Sequence, residues 1–517
     1  MSTGFHNLSR SQLIGTLTGL LLALALAALD QTIVGTAMPR IIAQLNGFDR
    51  YPWVTTAYLL TSTICVPIFA KLSDIYGRKW FFLAGTVLFV IASMLCGAAN
   101  DMTQLIVYRG LQGVGAGVIT GLLFTILGDI FAPAERARYQ GLFAAVWGMA
   151  SIFGPTLGGW ITDQYSWRWT FYVNLPVGLL AAAAILFEFP YFKPAGVKRQ
   201  IDWWGVVTLI GCLVPFMLAL TWATNYGWGS QRVLGLMTLA ALMLAAFLYA
   251  ESKASEPLVP LWLFRDPVIA VSSLAIFALG VGMLGVILYV PLFMQGVLGV
   301  SAMHSGSLLT PLLIGAVVSS VAAGQIMSRT GRYRNMAIAG AVVAAIGMFL
   351  LAAMDGSTTE AEVVRNMIIA GLGMGVMQPV YTLAVQNVAP PAHLGAATAS
   401  TQFFRSIGST VGVALFGSVL LTKYHTDFDR HIPPGTPARA LVPFANPLQL
   451  VEIRPQLEAG FGKYPGGMEL LHKLLGNVHD ALIVGLHSIF LMGALLMTAG
   501  VIVNLFLKEL PLRKKGE

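Results

Sequence analysis

Long apolar stretches recur along the whole sequence, and they restrict the folds open to this 517-residue chain more than any other feature. A helix needs about 20 mostly apolar residues to cross a bilayer. Only 10% of the residues are charged, against about 25% in an ordinary soluble domain, so a soluble fold of this size is excluded. The sequence therefore predicts an all-α polytopic membrane protein. Its fourteen predicted spans are residues 13–38, 53–72, 80–99, 103–127, 139–162, 170–189, 203–223, 233–250, 268–296, 303–327, 335–354, 364–388, 398–421 and 481–507.

The basic residues indicate the orientation of these spans. The chain has a formal net charge of +8, but its Lys and Arg lie in short clusters beside apolar stretches, as in the cytoplasmic loops of membrane proteins. More than half of the 31 basic residues fall on one side when the N-terminus is placed inside. We therefore expect both termini in the cytoplasm of a multi-pass protein of the inner cell membrane, with no binding of nucleic acid.

A weak internal repeat divides the chain. Segments 70–79 and 324–333 follow the second and the tenth span, and each closes a helix with a Gly-Arg turn, so that Gly77 aligns with Gly331. Such duplication is common among transporters. The predicted units are an N-terminal six-helix bundle at residues 1–190, two additional membrane helices and linkers at 191–266, and a C-terminal six-helix bundle at 267–517 with a Pro-rich extracytoplasmic loop at 424–480.

The sequence gives no sign of enzymatic chemistry, a metal or a cofactor. The three cysteines are scattered in apolar stretches and form neither a CxxC pair nor a zinc-type cluster. Gly280, Gly282 and Gly285 spell GxGxxG, but no strand precedes them, so a dinucleotide site is excluded. No phosphate-binding GxxxxGK[ST], HExxH or GxSxG motif occurs. We expect a protein that is not an enzyme and that needs neither metal nor cofactor.

Asp30 is the most informative residue, because it is an acid inside the first apolar span. A charge at the centre of a membrane helix costs at least about 2.5 to 3.5 kcal/mol. Burial favours the protonated form of a carboxyl group, whereas a nearby cation favours the ionised form. Asp30 is therefore a candidate proton carrier. A static, paired structural acid is the alternative.

Arg109 in the fourth span is the candidate cation for Asp30. Arginine stays charged at physiological pH, so it can hold a neighbouring acid ionised but cannot carry the proton itself. Gly113 and Gly117 lie four residues apart, which lets another backbone approach this helix. A side chain that snorkels to the membrane interface is the alternative interpretation.

Two further segments are candidates for conformational change. In the fifth span, a proline and several glycines indicate a pivot or a tight helix seam, although a simple packing kink fits equally well. In the loop after the second span, charged residues beside a glycine indicate either a latch between helix ends or orienting charges. The residues concerned are Gly154, Pro155, Gly158 and Gly159 in the span, and Asp74, Gly77 and Arg78 in the loop.

Arg405 in the thirteenth span is a second cation within an apolar stretch. It is a candidate for contact with a lipid headgroup or with a helix end, and a structural role is equally open. Polar and aromatic residues of other spans could line a central substrate cavity, although helix packing explains each one as well. These candidates are Tyr58, Gln112, Tyr289, Phe293, Gln378 and Tyr381.

Taken together, these motifs resemble the major facilitator superfamily, and in particular its fourteen-span drug:proton antiporter family (EmrB/QacA type). The resemblance covers essentially the whole chain. The segments that carry it are Leu29 to Pro39, Ala70 to Lys79, Arg109 to Ala116, the Gly-Pro pattern at residues 154–159, and Trp167 to Gly178 at the start of the sixth span.

The resemblance implies proton coupling through Asp30 and Arg109, a cytoplasmic gate in the loop at Asp74, Gly77 and Arg78, and export through the Gly-Pro pattern of span 5. The chain also departs from the family. Ala70 and Ala150 stand where the family usually has Gly, and Gly35 stands where the family often has Asn. Ser328 replaces an acid in the second-half loop. Spans 9 to 13 carry no mid-membrane acid, which argues against export of dications.

We therefore expect a monomeric, proton-coupled exporter of hydrophobic, neutral or monocationic drugs that works by alternating access. Two alternatives stay open on the sequence. One is a lipid or fatty-acid exporter or flippase on the same fold, with lipid near Arg405. The other is a partner-docking component of an envelope assembly, in which the loop at 424–480 binds a periplasmic adaptor.

Overall fold

The computed structural model describes residues 9–130, 133–191, 202–254, 257–390, 394–434, 436–447, 450–464 and 466–510. These residues form helices and connecting turns, as expected for a chain whose backbone polar groups must be satisfied inside a bilayer. The helices are α1 (Arg10–Leu45), α2 (Tyr51–Tyr76), α3 (Arg78–Ala98), α4 (Met102–Ile130), α5 (Pro133–Gln164), α6 (Trp169–Tyr172), α7 (Asn174–Glu188), α8 (Trp203–Tyr226), α9 (Gln231–Lys253), α10 (Pro267–Gly296), α11 (Ala302–Thr330), α12 (Arg334–Ala352), α13 (Glu360–Val388), α14 (Leu394–Arg430), α15 (Ala438–Leu441), α16 (Leu450–Phe461) and α17 (Gly467–Leu505).

The number of membrane helices agrees with the prediction. Within the described residues, thirteen helical segments are long and apolar enough to cross a membrane. The 32-residue α5 is a fourteenth helix of sufficient length. The sixth span is broken into α6 and α7 at Val173. The all-helical fold is therefore confirmed.

The connection after the thirteenth span differs from the predicted loop at 424–480. Helix α14 continues to Arg430, α17 already begins at Gly467, and the short helices α15 and α16 lie between them. Hydrophobicity marks where a helix leaves the bilayer, but polar residues such as those at 423–430 can continue the same helix in water. The turn at Gly466, with φ of 74°, starts α17.

The helices pack as a first half (α1–α7) and a second half (α10–α17). In the first half α1 packs on α5 and α7, and α2 on α4; in the second half α10 packs on α14, and α11 on α13. The halves meet where α5 contacts α11 and α2 contacts α14. The two additional helices, α8 and α9, form a hairpin, and α8 packs on both α2 and α14.

The aligned turns of the two halves share a backbone feature. Gly77 between α2 and α3 has φ of 99°, and Gly331 between α11 and α12 has φ of 68°. A positive φ is readily available to glycine and costly for most other residues. A glycine with a positive φ thus ends the second helix of each half, although ψ differs between the two, 148° at Gly77 and 8° at Gly331.

The end of the molecule where α1 finishes and α2 begins is closed by contacts between the halves. We call it the joined end. Tyr51 Oη donates to the Leu288 carbonyl at 2.8 Å, and Gln295 Nε2 donates to the Thr36 carbonyl at 3.1 Å. Further bonds of this kind join Met303 N to Asp163 Oδ2, His425 Nε2 to Asp49 Oδ1, and Asn446 Nδ2 to the Ile42 carbonyl.

Candidate functional site

Asp30 lies in α1 with none of its surface exposed, and both of its carboxylate oxygens have hydrogen-bond donors. Arg109 Nη1 lies 2.7 Å from Oδ2. Gln112 Nε2 donates to Oδ1 at 2.8 Å, and Asn174 Nδ2 donates to the same oxygen at 3.0 Å. A buried charge is tolerated when it is paired and hydrogen-bonded. The three donors therefore fit an ionised carboxylate.

Arg109 is buried and does not snorkel to the membrane interface. Besides Asp30, its Nη1 donates to Gln112 Oε1 at 2.6 Å, and its Nε donates to the Val54 carbonyl at 3.4 Å. The guanidinium carbon lies 4.2 Å from the centre of the Tyr58 ring, a distance at which the ring face attracts a cation. Arg109 is thus held from three sides by α1, α2 and its own helix.

The small residues of α4 explain how Arg109 reaches this position. A side chain at Gly113 would overlap Thr61 Oγ1 and the Tyr58 carbonyl, and one at Gly117 would overlap the backbone of Ser62. The two glycines therefore let α4 lie directly against α2, as small residues do in membrane helix pairs. This close approach brings Tyr58 over Arg109.

Asn174 belongs to the site, although its residue type and position in the sequence point to no role of its own. It is the first residue of α7 and follows the break in the sixth span at Val173. Its Nδ2 also donates to Ser93 Oγ at 2.9 Å. An uncharged amide in an apolar segment carries little sequence signal. Two clues are available: the amide lies in the segment Trp167 to Gly178, which carries part of the family resemblance, and it stands two residues before Pro176, where a helix starts easily.

The Gly-Pro pattern of span 5 forms the contact between α5 and α1. A side chain at Gly154 would overlap Thr32 Oγ1, and one at Gly158 would lie 2.6 Å from the Ile33 carbonyl. Thr32 Oγ1 also donates to the Ala150 carbonyl at 3.0 Å. The pattern thus places α5 against the helix that carries Asp30.

The same segment of α5 also contacts the second half. Gly159 lies against the backbone of Ala302 and Met303, and the Pro155 carbonyl lies against Gly306. Tight backbone contact on both sides makes this part of α5 a seam shared by the two halves.

The loop between α2 and α3 is described in part. Arg78 is buried, and its Nη1 donates to Ser73 Oγ at 3.2 Å. Gly77 ends α2 and precedes α3 with a positive φ. The side chain of Asp74 lies outside the described residues. The predicted latch therefore stays a prediction.

The predicted cavity residues occupy different environments. Tyr58 lines a narrow cavity together with Arg109, Gln31, Thr55 and Leu284, so this cavity lies between the halves and beside the Asp30 pair. Gln112, in contrast, is one of the donors to Asp30. The other candidates lie in the second half, where Phe293 is buried, Gln378 is half-buried, Tyr289 Oη donates to the Val413 carbonyl, and Tyr381 Oη donates to Asn504 Oδ1.

Arg405 is half-buried in α14, where its Nε donates to Gln402 Oε1 at 2.9 Å. Its carbonyl packs against Gly280 of α10. The guanidinium group is therefore bonded within its own helix, while the backbone of Arg405 lies at the contact between α10 and α14. Contact of Arg405 with a lipid headgroup or a helix end stays a prediction.

Comparison with known proteins gives consistent matches along the chain. The sequence model of the Major Facilitator Superfamily matches residues 20–413. The chain is 39% identical over 510 residues to the multidrug transporter protein MdtP of Bacillus subtilis (strain 168), an alignment that covers 96% of this chain and 94% of that protein. It is also 39% identical over 404 residues to multidrug resistance protein 3 of the same organism, with 78% of each chain covered.

Solved structures share the fold at low sequence identity. A bacterial homolog of the human lysosomal transporter Spinster, in an inward-facing and unoccupied conformation, superposes with a TM-score of 0.65 at 15% identity, covering 97% of this chain and 100% of that one. The nucleoside transporter NupG superposes with a TM-score of 0.57 at 12% identity, covering 96% of this chain and 100% of that one. At these identities the likeness concerns the fold alone.

Proposed function

Because the chain belongs to the Major Facilitator Superfamily and has relatives that are multidrug transporters, we propose that it is a proton-coupled antiporter that exports hydrophobic drugs by alternating access. The chain is a transporter and not an enzyme. We place it in the cytoplasmic membrane as a monomer with both termini inside, in keeping with the distribution of its basic loops.

The observation that carries proton coupling is the buried pair of Asp30 and Arg109. A carboxyl group that pairs with a cation in one conformation and loses it in another changes its proton affinity between the two. Arg109 lies at the wall of the narrow cavity between the halves, so a rearrangement there reaches the pair directly. A membrane potential supplies about 2.3 kcal/mol per proton per 100 mV, which supports a gradient of roughly fiftyfold.

The contacts at the joined end support alternating access. The halves meet there through hydrogen bonds between α1, α2 and the second half. To open the joined end, the two halves must rock against each other, so that these contacts break while others form at the opposite end of the molecule. Asp30 is carried by α1, whose end takes part in the joined contacts, so movement of the halves and proton binding involve the same helix.

The charge distribution supports neutral or monocationic substrates. Helices α10 and α11 carry no acidic residue, and the acids of α13 and α14 lie toward their ends. Asp30, the buried acid described above, is already bonded to Arg109. A dication entering the cavity would lack a second carboxylate, so we propose hydrophobic compounds with at most one positive charge.

Efflux from inverted membrane vesicles tests this proposal, with ethidium as a hydrophobic monocationic probe. Asp30→Asn keeps the size of the side chain but cannot ionise, so proton-driven ethidium accumulation in the vesicles should be abolished. Asp480→Asn, which alters an exposed acid of α17, is a matched control for the loss of an acid and should transport at half the wild-type rate or better.

Protein amount and melting temperature are measured for each variant to establish that it is folded. If a folded Asp30→Asn protein exchanges ethidium for protons at the wild-type rate, the proposed coupling is overturned. Failure of the wild-type protein to transport ethidium or any of a panel of neutral hydrophobic dyes would overturn the proposed substrate class.

A further inference from the structure

Two of the three donors to Asp30 come from α4, and the third is Asn174 in the broken sixth span. We propose that Asn174, held by Ser93, is a positioning residue of the proton site and sets the pH at which Asp30 takes up its proton. The inference rests on the proposed function, because it takes Asp30 to be the group that binds the proton.

The first step of the argument concerns the oxygens of Asp30. Oδ2 accepts from Arg109, and Oδ1 accepts from both Gln112 and Asn174. An ionised carboxylate only accepts hydrogen bonds, whereas a protonated carboxyl group carries a hydrogen on one oxygen and donates through it. Protonation removes the negative charge that strengthens the bonds from these three donors. Each donor therefore favours the ionised form, and removal of one donor favours the protonated form.

The second step concerns the fixed orientation of Asn174. An amide nitrogen has two hydrogens, and Asn174 directs one at Asp30 and the other at Ser93 Oγ, which lies 2.9 Å away. The Ser93 hydroxyl in turn donates to the Phe171 carbonyl at 2.9 Å. Asn174 and Ser93 are both buried. Because the hydroxyl already uses its hydrogen, it accepts from the amide, and the nitrogen of Asn174 stays directed toward Asp30.

The third step concerns the other groups that act on Asp30. Arg109 faces it from α4, the Tyr58 ring of α2 packs over Arg109, and Cys96 Sγ of α3 donates to Gln112 Oε1 at 3.6 Å. The central parts of α5, α10 and α11, which also pack on α1, carry no charged residue. Tyr289 of α10 donates to the Val413 carbonyl, and Tyr172 of α6, which packs on α1 as well, lies against Gly97 of α3. Helix α7 contributes the amide of Asn174. Asn174 is thus the donor to Asp30 that lies on α7, whereas Arg109 and Gln112 both lie on α4.

The test measures protonation of Asp30 without any substrate. The full-length protein is reconstituted in lipid, and infrared spectra are recorded across a pH titration. The carbonyl band of a protonated carboxylic acid that is present in the wild type and absent in Asp30→Asn reports this residue. In Asn174→Ala the midpoint of the band should move to higher pH by about one unit, a tenfold rise in proton affinity that corresponds to about 1.4 kcal/mol.

Two variants separate this role from general packing. Ser93→Ala leaves the donor in place but frees its orientation, so its midpoint should move in the same direction by less. Asn366→Ala is the matched control, since Asn366 is also buried and donates through Nδ2, but to the Leu350 carbonyl in the second half. Its midpoint should equal that of the wild type.

The outcomes distinguish the inference from the proposed function. A wild-type midpoint in Asn174→Ala would overturn the role of Asn174 and leave proton binding by Asp30 intact. The lack of any Asp30-dependent band at every pH would overturn the proton site and this inference with it. If Asn174→Ala does not accumulate, Asn174→Leu retains the volume of the side chain without its donor, and the same upward shift is expected there.

Discussion

Phe48 of the first half packs edge-on against Tyr424 of the second half, with ring centres 5.1 Å apart and planes at 72°. Tyr424 is stacked on Phe428, and its hydroxyl donates to the Phe444 carbonyl at 2.9 Å. The turn between α1 and α2 therefore inserts an aromatic ring into the folded connection that follows α14. This contact ties the halves together at the joined end.

Replacing Phe48 by Ala should release the joined end. An edge-on aromatic pair contributes about 0.5 to 1.5 kcal/mol beyond its buried area, so the population with separated halves should rise roughly tenfold. Nitroxide labels at Gln164 and Val442 report the distance across this end. Phe187→Ala, at a side chain 79% exposed, is the control. An unchanged distance distribution in Phe48→Ala would show that the aromatic contact does not hold the halves.

A side chain at Gly158 should disrupt the contact of α5 with α1. In Gly158→Val the new Cβ would lie 2.6 Å from the Ile33 carbonyl and 2.7 Å from Thr36 Oγ1, and backbone atoms cannot move aside as a flexible side chain can. Overpacking of this kind costs about 1 to 3 kcal/mol. We expect a lower melting temperature and loss of ethidium efflux.

Gly229→Val is the matched control, because nothing lies within 4 Å of a Cβ at Gly229. Equal melting temperatures and efflux rates for the two variants would mean that α1 and α5 do not need this close approach.

Lysine should not fulfil the function of Arg109, although it keeps the positive charge. Arg109 bonds Asp30 and Gln112 through Nη1 and the Val54 carbonyl through Nε, and a lysine ammonium cannot reproduce this planar arrangement. We expect at least a tenfold loss of proton-driven ethidium efflux in Arg109→Lys. Arg232→Lys, at an exposed arginine of α9, should retain the wild-type rate. Wild-type efflux in Arg109→Lys would show that charge alone suffices.

The two aligned glycine turns should respond differently to asparagine. Gly331 has φ of 68° and ψ of 8°, a left-handed conformation that asparagine also adopts, so Gly331→Asn should change the melting temperature little. Gly77 has φ of 99° and ψ of 148°, close to a region that is essentially restricted to glycine and costs other residues about 1 to 3 kcal/mol. Gly77→Asn should therefore melt at a clearly lower temperature. Similar melting temperatures would contradict this distinction.

The central pair is recognisable in the amino-acid sequence because charges inside apolar spans are rare and costly. Asp30 and Arg109 therefore stand out by residue type and position alone. Asn174 and Ser93 do not, since neutral polar side chains are common in membrane helices and their partners come from distant parts of the chain. Phe48 is equally inconspicuous, because nothing in an aromatic residue of a turn specifies a partner almost 400 positions later.

The sequence predicts where helices cross the bilayer better than it predicts where they end in water. Apolar stretches predict where the spans cross, but α14 continues to Arg430 and α17 starts at Gly467, both beyond the apolar stretch. In water the end of a helix depends on capping and tertiary contacts, which a hydropathy pattern does not contain. The break at Val173 has a weak sequence signal, Pro176, because proline is favoured in the first turn of a helix.

The additional hairpin makes the two sides of the transporter unequal toward the lipid. Where α2 meets α14, α8 covers the contact with an apolar surface that includes Leu213 and Met217. Where α5 meets α11, residues such as Phe153 and Val318 are about 60% exposed and face the surroundings directly. The surrounding lipid thus meets α8 at the contact between α2 and α14, whereas it meets α5 and α11 directly at the other contact between the halves.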